Sequence, residues 1–201
     1  MRPNCSDDCN SLREMTAMTQ PLNMTASGML ALSRASLTTL RTALLRDGGP
    51  DAAVYLQEAG YAGGDAVWQA FKRWLADQTS TEAVDLDVPS FQRYASEFFA
   101  EAGWGHLTIG SIGDAVATID TADWGEADPD AAADQPCCHL TTGMFADLFG
   151  RVAGHTVAVL EVECRSAGAS HCRFLVGSQP VMEQVYDAVG RGERYETAVA
   201  G

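Results

Sequence analysis

The stretch from Cys138 to Cys172 constrains the fold more than any other part of the chain. It begins and ends on cysteine, and a third cysteine, Cys164, closes the run Glu161-Val-Glu-Cys. Apolar residues recur first at helical spacing and then as a strand, and Gly168 marks a turn before the last cysteine. We therefore expect the rest of the chain to fold around this helix, strand and turn.

The cysteine content favours metal or reactive thiols over disulfides. The chain has 6 cysteines in 201 residues, more than one domain needs for packing. The N-terminus has acidic residues and no apolar core, so it does not resemble a secretory signal, and the expected location is the reducing cytoplasm. Cys5 and Cys9 lie in the leader, and we interpret them as incidental.

The charge of the chain excludes two classes of partner. The net charge is −14, and such a surface repels both nucleic acid and anionic membranes. No run approaches about 18 consecutive apolar residues, so no transmembrane helix is predicted.

Length and composition predict one folded domain with two tails. We expect a disordered N-terminal tail over 1–25, a single domain over 26–189 and a C-terminal tail over 190–201. Within the domain, a helical half (26–103) precedes an α+β half (104–189). The 46% hydrophobic content is enough for one sizeable core.

The order of elements predicts an α+β fold with an antiparallel sheet covered by helices. Four helices are expected over 27–46, 50–60, 65–78 and 89–103, with Gly63-Gly64 as a break. Two hairpins follow, separated by the helix that starts at Cys138, and a closing helix starts at Pro180. The strand ending at Cys164 alternates little, so it is predicted to be central and buried on both faces. The acidic run Asp120 to Asp134 is interpreted as a solvated loop.

The cysteines and one glutamate have the donor types of a zinc site. Structural zinc takes four ligands in a tetrahedron, and Glu161, Cys164, Cys172 and Cys138 could supply them. Residues three apart on a flat strand point to opposite faces, so the chain must bend or bulge near Glu163 for the first two to share an ion. Three buried cysteines beside an exposed carboxylate is the alternative that spacing leaves open.

The segment GMFADLFG from Gly143, the run Val159 to Cys164, Gly168, and His171 to Phe174 together resemble the 4-vinyl reductase domain. This family includes the N-terminal sensor domains of phenol- and xylene-responsive bacterial activators. Its broad fold is shared with nitric-oxide-signalling and Golgi-transport ligand-binding domains. The resemblance extends over about Val116 to Val176 and is weak in the helical half.

The resemblance implies a zinc site and a pocket. Cys138, Glu161, Cys164 and Cys172 match the zinc ligands of the sensor members one by one. Four protein ligands leave no open position, so this zinc would be structural.

The pocket that the resemblance implies is apolar and lies between helices and sheet, with a Trp and a His binding a phenol hydroxyl. Trp124 occupies a position similar to that Trp, and His106 has the chemistry of the His. Phe99, Trp104 and Tyr94 are the further candidates for ligand contact. Ordinary core packing is the alternative for each aromatic residue.

These observations favour a non-enzymatic sensor domain that binds a small hydrophobic or aromatic ligand. No catalytic residues are assigned, because no cofactor-binding loop or nucleophile–base pair is found. Similarity to dimeric sensors implies a homodimer and a separate signalling partner. Two alternatives stay open: an enzyme or accessory protein of (bacterio)chlorophyll vinyl reduction, and a structural interaction subunit.

Overall fold

The structure, a computed structural model, describes residues 28–200. The predicted N-terminal tail, with Cys5 and Cys9, lies outside the described residues. The main elements, in chain order, are α1 (Arg34–Asp47), α2 (Ala52–Gln78), α3 (Val88–Glu101), β1 (Thr108–Ile112), β2 (Val116–Thr121), α4 (His139–Ala153), β3 (Ala158–Glu163), β4 (Cys172–Gly177), α5 (Gln179–Gly190) and α6 (Tyr195–Ala200). None of the helices within residues 28–200 is both long and apolar enough to cross a bilayer.

The four strands form one antiparallel sheet in the order β1-β2-β4-β3, and the predicted α+β class is confirmed. The predicted central position of the strand ending at Cys164 is wrong, because β3 lies at the edge and β4 is central. Helices α4 and α5 both contact β3. This explains why an edge strand carries the weakly alternating apolar pattern of a buried one.

The predicted break at Gly63-Gly64 is also wrong, because α2 continues through it. Its glycines allow α2 and α4 to cross at very short range. A Cβ atom added at Gly60 would lie 1.9 Å from the Leu140 carbonyl oxygen, and one at Gly143 would lie 1.9 Å from that of Gln57. Here glycine permits contact between helices, and the contact outweighs its low helix propensity.

The C-terminal residues differ from the predicted tail over 190–201. Helix α6 packs beside α5 and β1. The Tyr195 hydroxyl donates to Glu163 at 2.5 Å and accepts from Arg173 Nη1 at 3.0 Å. These bonds attach the last described residues to the sheet.

The sheet separates two apolar clusters. The larger cluster lies between the sheet and helices α2, α3 and α4 and contains Phe98, Phe145 and Phe174. The smaller lies under α5, around Leu175 and Val185. The four candidate zinc ligands are positioned at the border of the larger cluster, where α4 begins and where β3 meets β4.

Candidate metal centre and aromatic cluster

The fold brings the four predicted zinc ligands together. Cys138 immediately precedes α4, Glu161 lies in β3, Cys164 follows β3 and Cys172 begins β4. One ligand atom from each of the four lies within 4.8 Å of the others, and all four side chains are buried. Residues far apart in sequence therefore converge on one point because the β3–β4 hairpin packs against the start of α4.

A β-bulge makes this convergence possible. Glu161 pairs with Phe174 and Glu163 with Arg173, so the register shifts by one residue between the two glutamates. The extra residue rotates the strand so that Glu161 and Cys164 reach the same side. The bend that the sequence required near Glu163 is confirmed.

The geometry of the cluster fits a tetrahedral metal ion. The Cys138 and Cys164 sulfur atoms are 3.8 Å apart. Tetrahedral zinc with Zn–S bonds of ~2.3 Å would place two sulfur atoms about 3.8 Å apart. Glu161 Oε2 accepts the Cys138 backbone N–H at 2.7 Å, whereas Oε1 is buried without a hydrogen-bond partner. A buried carboxylate oxygen without a partner is costly, and a cation would satisfy it.

The electrostatics of the four side chains match this interpretation. Burial and the neighbouring Cys164 raise the pKa of Glu161 to about 9. Contacts with the Cys164 and Cys172 sulfur atoms, and then burial, raise the pKa of Cys138. Contacts with Cys137, Cys138 and Cys172 lower the pKa of Cys164. Without a cation the cluster therefore keeps protons that a bound metal ion would displace.

Arg41 and Cys137 adjoin this cluster, and the sequence analysis did not find Arg41. Arg41 Nη1 donates to the Cys137 carbonyl oxygen at 3.1 Å and to Cys137 Sγ at 3.0 Å. The Arg41 side chain is only 2% exposed. Arg41 follows Leu37 by four positions and precedes Leu44 by three. Its place in the apolar stripe of α1 was the available signal.

Three of the five predicted pocket residues lie together. The Trp124 ring is 5.4 Å from the Trp104 ring and 5.5 Å from the Phe99 ring, measured between centroids. Trp124 is fully buried, and its indole N–H donates to Thr141 Oγ1 at 2.6 Å. These residues form an aromatic cluster in which the Trp124 N–H already has a partner within the protein.

The other two predicted pocket residues lie elsewhere. The His106 side chain is 74% exposed, and its Nδ1 lies 2.8 Å from Asp123 Oδ2. Tyr94 packs edge-on against Trp74, with the Arg93 guanidinium 3.9 Å from its ring centroid. His106 follows directly on the turn after α3, and this position turns its side chain to solvent. The aromatic cluster therefore contains neither residue.

Glu126 corrects the interpretation of the acidic run as a solvated loop. It is 1% exposed and accepts the backbone N–H groups of Leu140 at 3.1 Å and Thr141 at 2.8 Å. The Thr141 hydroxyl also donates to it, at 2.5 Å. Burial raises the pKa of Glu126, while these hydrogen bonds oppose the rise. Glu126 binds the first turn of α4, where an acidic side chain meets unpaired N–H groups.

Two small apolar cavities adjoin the aromatic cluster. Their volumes are about 230 Å³ and 240 Å³, and both are lined by Met29, Leu30, Trp104 and Leu140. The first is also lined by Arg34 and Leu37, from the start of α1. A more open groove of about 590 Å³ lies between α1 and α2 and includes Arg41 in its wall.

Comparison with known proteins confirms the predicted resemblance. Residues 126–178, which contain all four candidate metal ligands, match the family model of the 4-vinyl reductase domain. No curated protein matches the chain.

Three solved structures share the fold. The phenol-responsive sensory domain of the transcription activator PoxR, solved with phenol, has 20% identity and a TM-score of 0.56, over 75% of this chain and 76% of that chain. A vinyl-4-reductase family protein from Methanocaldococcus jannaschii has 15% identity and a TM-score of 0.50, over 79% and 90%. A trafficking protein particle complex subunit 3 from Naegleria fowleri, covalently bound to palmitic acid, has 14% identity and a TM-score of 0.53, over 72% and 91%.

Proposed function

We propose that this chain is a non-enzymatic ligand-binding domain of the sensor type. It binds a small apolar or aromatic molecule beside Trp104 and is stabilised by a structural zinc ion. The observation that carries the proposal is the pair of apolar cavities next to the Trp104–Trp124 stack. The match to the 4-vinyl reductase domain and the shared fold with a phenol-responsive domain support it.

The size of the cavities supports a ligand of about one ring. Volumes of about 230 Å³ and 240 Å³ exceed the engineered cavity of ~150 Å³ that binds benzene. Aliphatic and aromatic walls would supply most of the affinity, and the rim residue Arg34 could interact with a polar substituent. A macrocycle with four rings would need the two cavities to merge and widen.

The donor set supports zinc in a structural role. Three thiols and one carboxylate suit zinc, and hard cations such as magnesium prefer oxygen ligands only. Cys138, Glu161, Cys164 and Cys172 would fill all four positions, so no position is left to activate a water molecule. Zinc bound there would join the start of α4 to the β3–β4 hairpin.

Titration of phenol and of o-xylene, followed by tryptophan fluorescence and calorimetry, tests the ligand site. Leu140 lines both cavities, so the variant Leu140→Trp should weaken binding at least tenfold while zinc content stays unchanged. Val84, which is 70% exposed, offers a control, since Val84→Trp adds the same ring at the surface. Equal affinity in all three proteins would contradict the proposal. Failure of the wild type to bind any apolar ligand, together with a stable complex with another protein, would favour the structural interaction subunit.

The predicted homodimer and the separate signalling partner belong to the same proposal. Native mass spectrometry of the purified protein reports subunit number, metal content and retained organic ligands together. A dimer supports the sensor hypothesis, and a monomer removes signalling across a homodimer from it. A retained tetrapyrrole mass would favour the vinyl-reduction alternative instead.

A further inference from the structure

We propose that Arg41 couples helix α1 to the charge of the metal centre, so that the bound ion holds this helix over the ligand cavity. The inference rests on the zinc site of the proposed function. It adds a positioning residue and a link between the metal and the ligand that the site alone does not imply.

Arg41 is unusual for its burial. It is the one residue of α1 that is fully buried. Among residues 28–200 it is also the one basic side chain in the buried class. Arginine is rarely buried without a partner of opposite charge, because removing a cation from water is costly.

The partners of Arg41 belong to the cysteine cluster. Nη1 donates to the carbonyl oxygen and sulfur of Cys137, and the buried Nε has no hydrogen-bond partner. No carboxylate in the described part of the chain forms an ion pair with it. A buried guanidinium in this position needs negative charge from another source.

The metal centre would supply that charge. Metal binding requires the thiols and the carboxyl group in their ionised forms. Three thiolates and one carboxylate around a divalent ion leave two negative charges uncompensated inside the protein. Cys137 precedes the ligand Cys138, and its side chain contacts the Cys164 sulfur. Arg41 is therefore placed to neutralise part of this charge through Cys137, as residues beside metal ligands commonly do.

Helix α1 is otherwise weakly attached. Most of its residues are exposed or half-buried, and Leu40 is 63% exposed. A second attachment, from Arg34 Nη2 to the Gly103 carbonyl oxygen at 2.8 Å, is exposed to solvent. Because Arg34 and Leu37 also line the cavity of about 230 Å³, loosening α1 would open that cavity.

The coupling must act in both directions. If zinc stabilises the docked position of α1, and docked α1 closes the cavity, then zinc raises ligand affinity and ligand raises zinc affinity by the same factor. The bond pattern of Arg41 thereby predicts a dependence between two sites that share no residue.

The test compares zinc affinity and the mobility of α1 in matched variants. Arg41→Met keeps the length of the side chain and removes its charge, Arg41→Lys keeps the charge, and Arg46→Met is the control. Arg46 lies on the same helix, is exposed and pairs with Asp47. Competition with a zinc chelator should show zinc affinity about 10- to 100-fold weaker in Arg41→Met, partly restored in Arg41→Lys and unchanged in Arg46→Met.

Hydrogen exchange supplies the second readout. Adding zinc to the metal-free wild type should slow exchange over residues 34–47, and in Arg41→Met this response should disappear. A purely structural role for Arg41 would destabilise the protein with and without zinc alike and leave zinc affinity unchanged, which would overturn the inference. If Arg41→Met fails to fold, the wild-type response over α1 decides alone.

The outcomes also separate this inference from the proposed function. A wild type that binds no zinc removes the metal centre and the coupling together. Zinc-dependent protection of α1 in a protein that binds neither phenol nor o-xylene would support the coupling and reject the ligand. Ligand binding that is independent of zinc would leave the ligand site and reject the coupling.

Discussion

Replacing Cys164 by serine should release the zinc ion and destabilise the protein. Cys164 lies at the end of β3, is 1% exposed, and its sulfur is 3.8 Å from that of Cys138. Serine keeps the size of the side chain but replaces a soft sulfur ligand with a hydroxyl, which binds zinc far more weakly at neutral pH. The substitution therefore tests the metal with little change in packing.

The magnitude follows from the linkage between binding and folding. With free zinc at 1,000 times the dissociation constant, binding stabilises the folded state by ~4 kcal/mol. A 100-fold loss of affinity would leave ~1.4 kcal/mol of this stabilisation, so Cys164→Ser should lose about 2.7 kcal/mol. Complete loss of zinc would cost the full ~4 kcal/mol.

Urea unfolding in zinc-buffered solution, with and without a chelator, measures this loss. The control is Cys137→Ser, which alters a neighbouring thiol that is not among the four ligands. Cys137→Ser should keep one zinc per chain and the stabilisation by zinc. Unchanged zinc content and unchanged unfolding in Cys164→Ser would refute the assignment of Cys164 as a ligand, and equal losses in both variants would refute its specificity.

Three further predictions concern the pH dependence, the helix crossing and the C-terminal helix. Burial raises the pKa of Glu161 from 4.5 to about 9, so the metal-free fold binds more protons than the unfolded chain. Urea unfolding should show its stability falling between pH 6 and 8, and zinc should reverse this slope, whereas a metal-free slope that rises with pH would contradict the prediction. Gly143→Ala forces a Cβ to 1.9 Å from the Gln57 carbonyl oxygen, whereas Gly63→Ala meets no atom within 4 Å; thermal unfolding should show a loss of ~3 kcal/mol for the first and a gain of up to ~1 kcal/mol for the second, and equal effects would be inconsistent with the helix crossing. Tyr195→Phe removes the bonds to Glu163 and Arg173 and should cost ~1 kcal/mol and speed hydrogen exchange over residues 195–199; unchanged exchange would show that α6 is held by other contacts.

The metal centre was predictable from the sequence because its constraints are local. Glu161 and Cys164 are three residues apart, so strand geometry alone required the bulge that the structure has beside Glu163. The type of each donor then limited the ion. Pairing of β3 with β4 through a short turn placed Cys172 nearby without any knowledge of the remaining fold.

Features that depend on packing between distant segments could not be predicted in the same way. Gly64 appeared to break a helix, but an added Cβ there would meet the Asp147 side chain of α4. Glu126 and Arg41 are charged residues that the fold buries, and their partners Thr141 and Cys137 lie on another element or far along the chain. Sequence periodicity reports which face of an element is apolar and does not report which element will cover it.

The pocket was predictable only in part for a related reason. Aromatic residue type identified Phe99, Trp104 and Trp124 as neighbours, and their rings do pack together. The chemistry of His106 suited a phenol hydroxyl, but the turn after α3 directs its side chain to solvent. Residue type alone does not determine the direction of a side chain in a loop.

Native mass spectrometry of the purified wild-type protein tests the central claim most directly, because it counts metal ions per chain without assuming which side chains bind them. The account predicts one zinc ion per chain, lost on chelation and lost in the variant Cys164→Ser. A chain that carries no metal when purified from zinc-containing medium, or one that keeps its zinc after this substitution, would contradict the assignment of Cys138, Glu161, Cys164 and Cys172 as the metal centre.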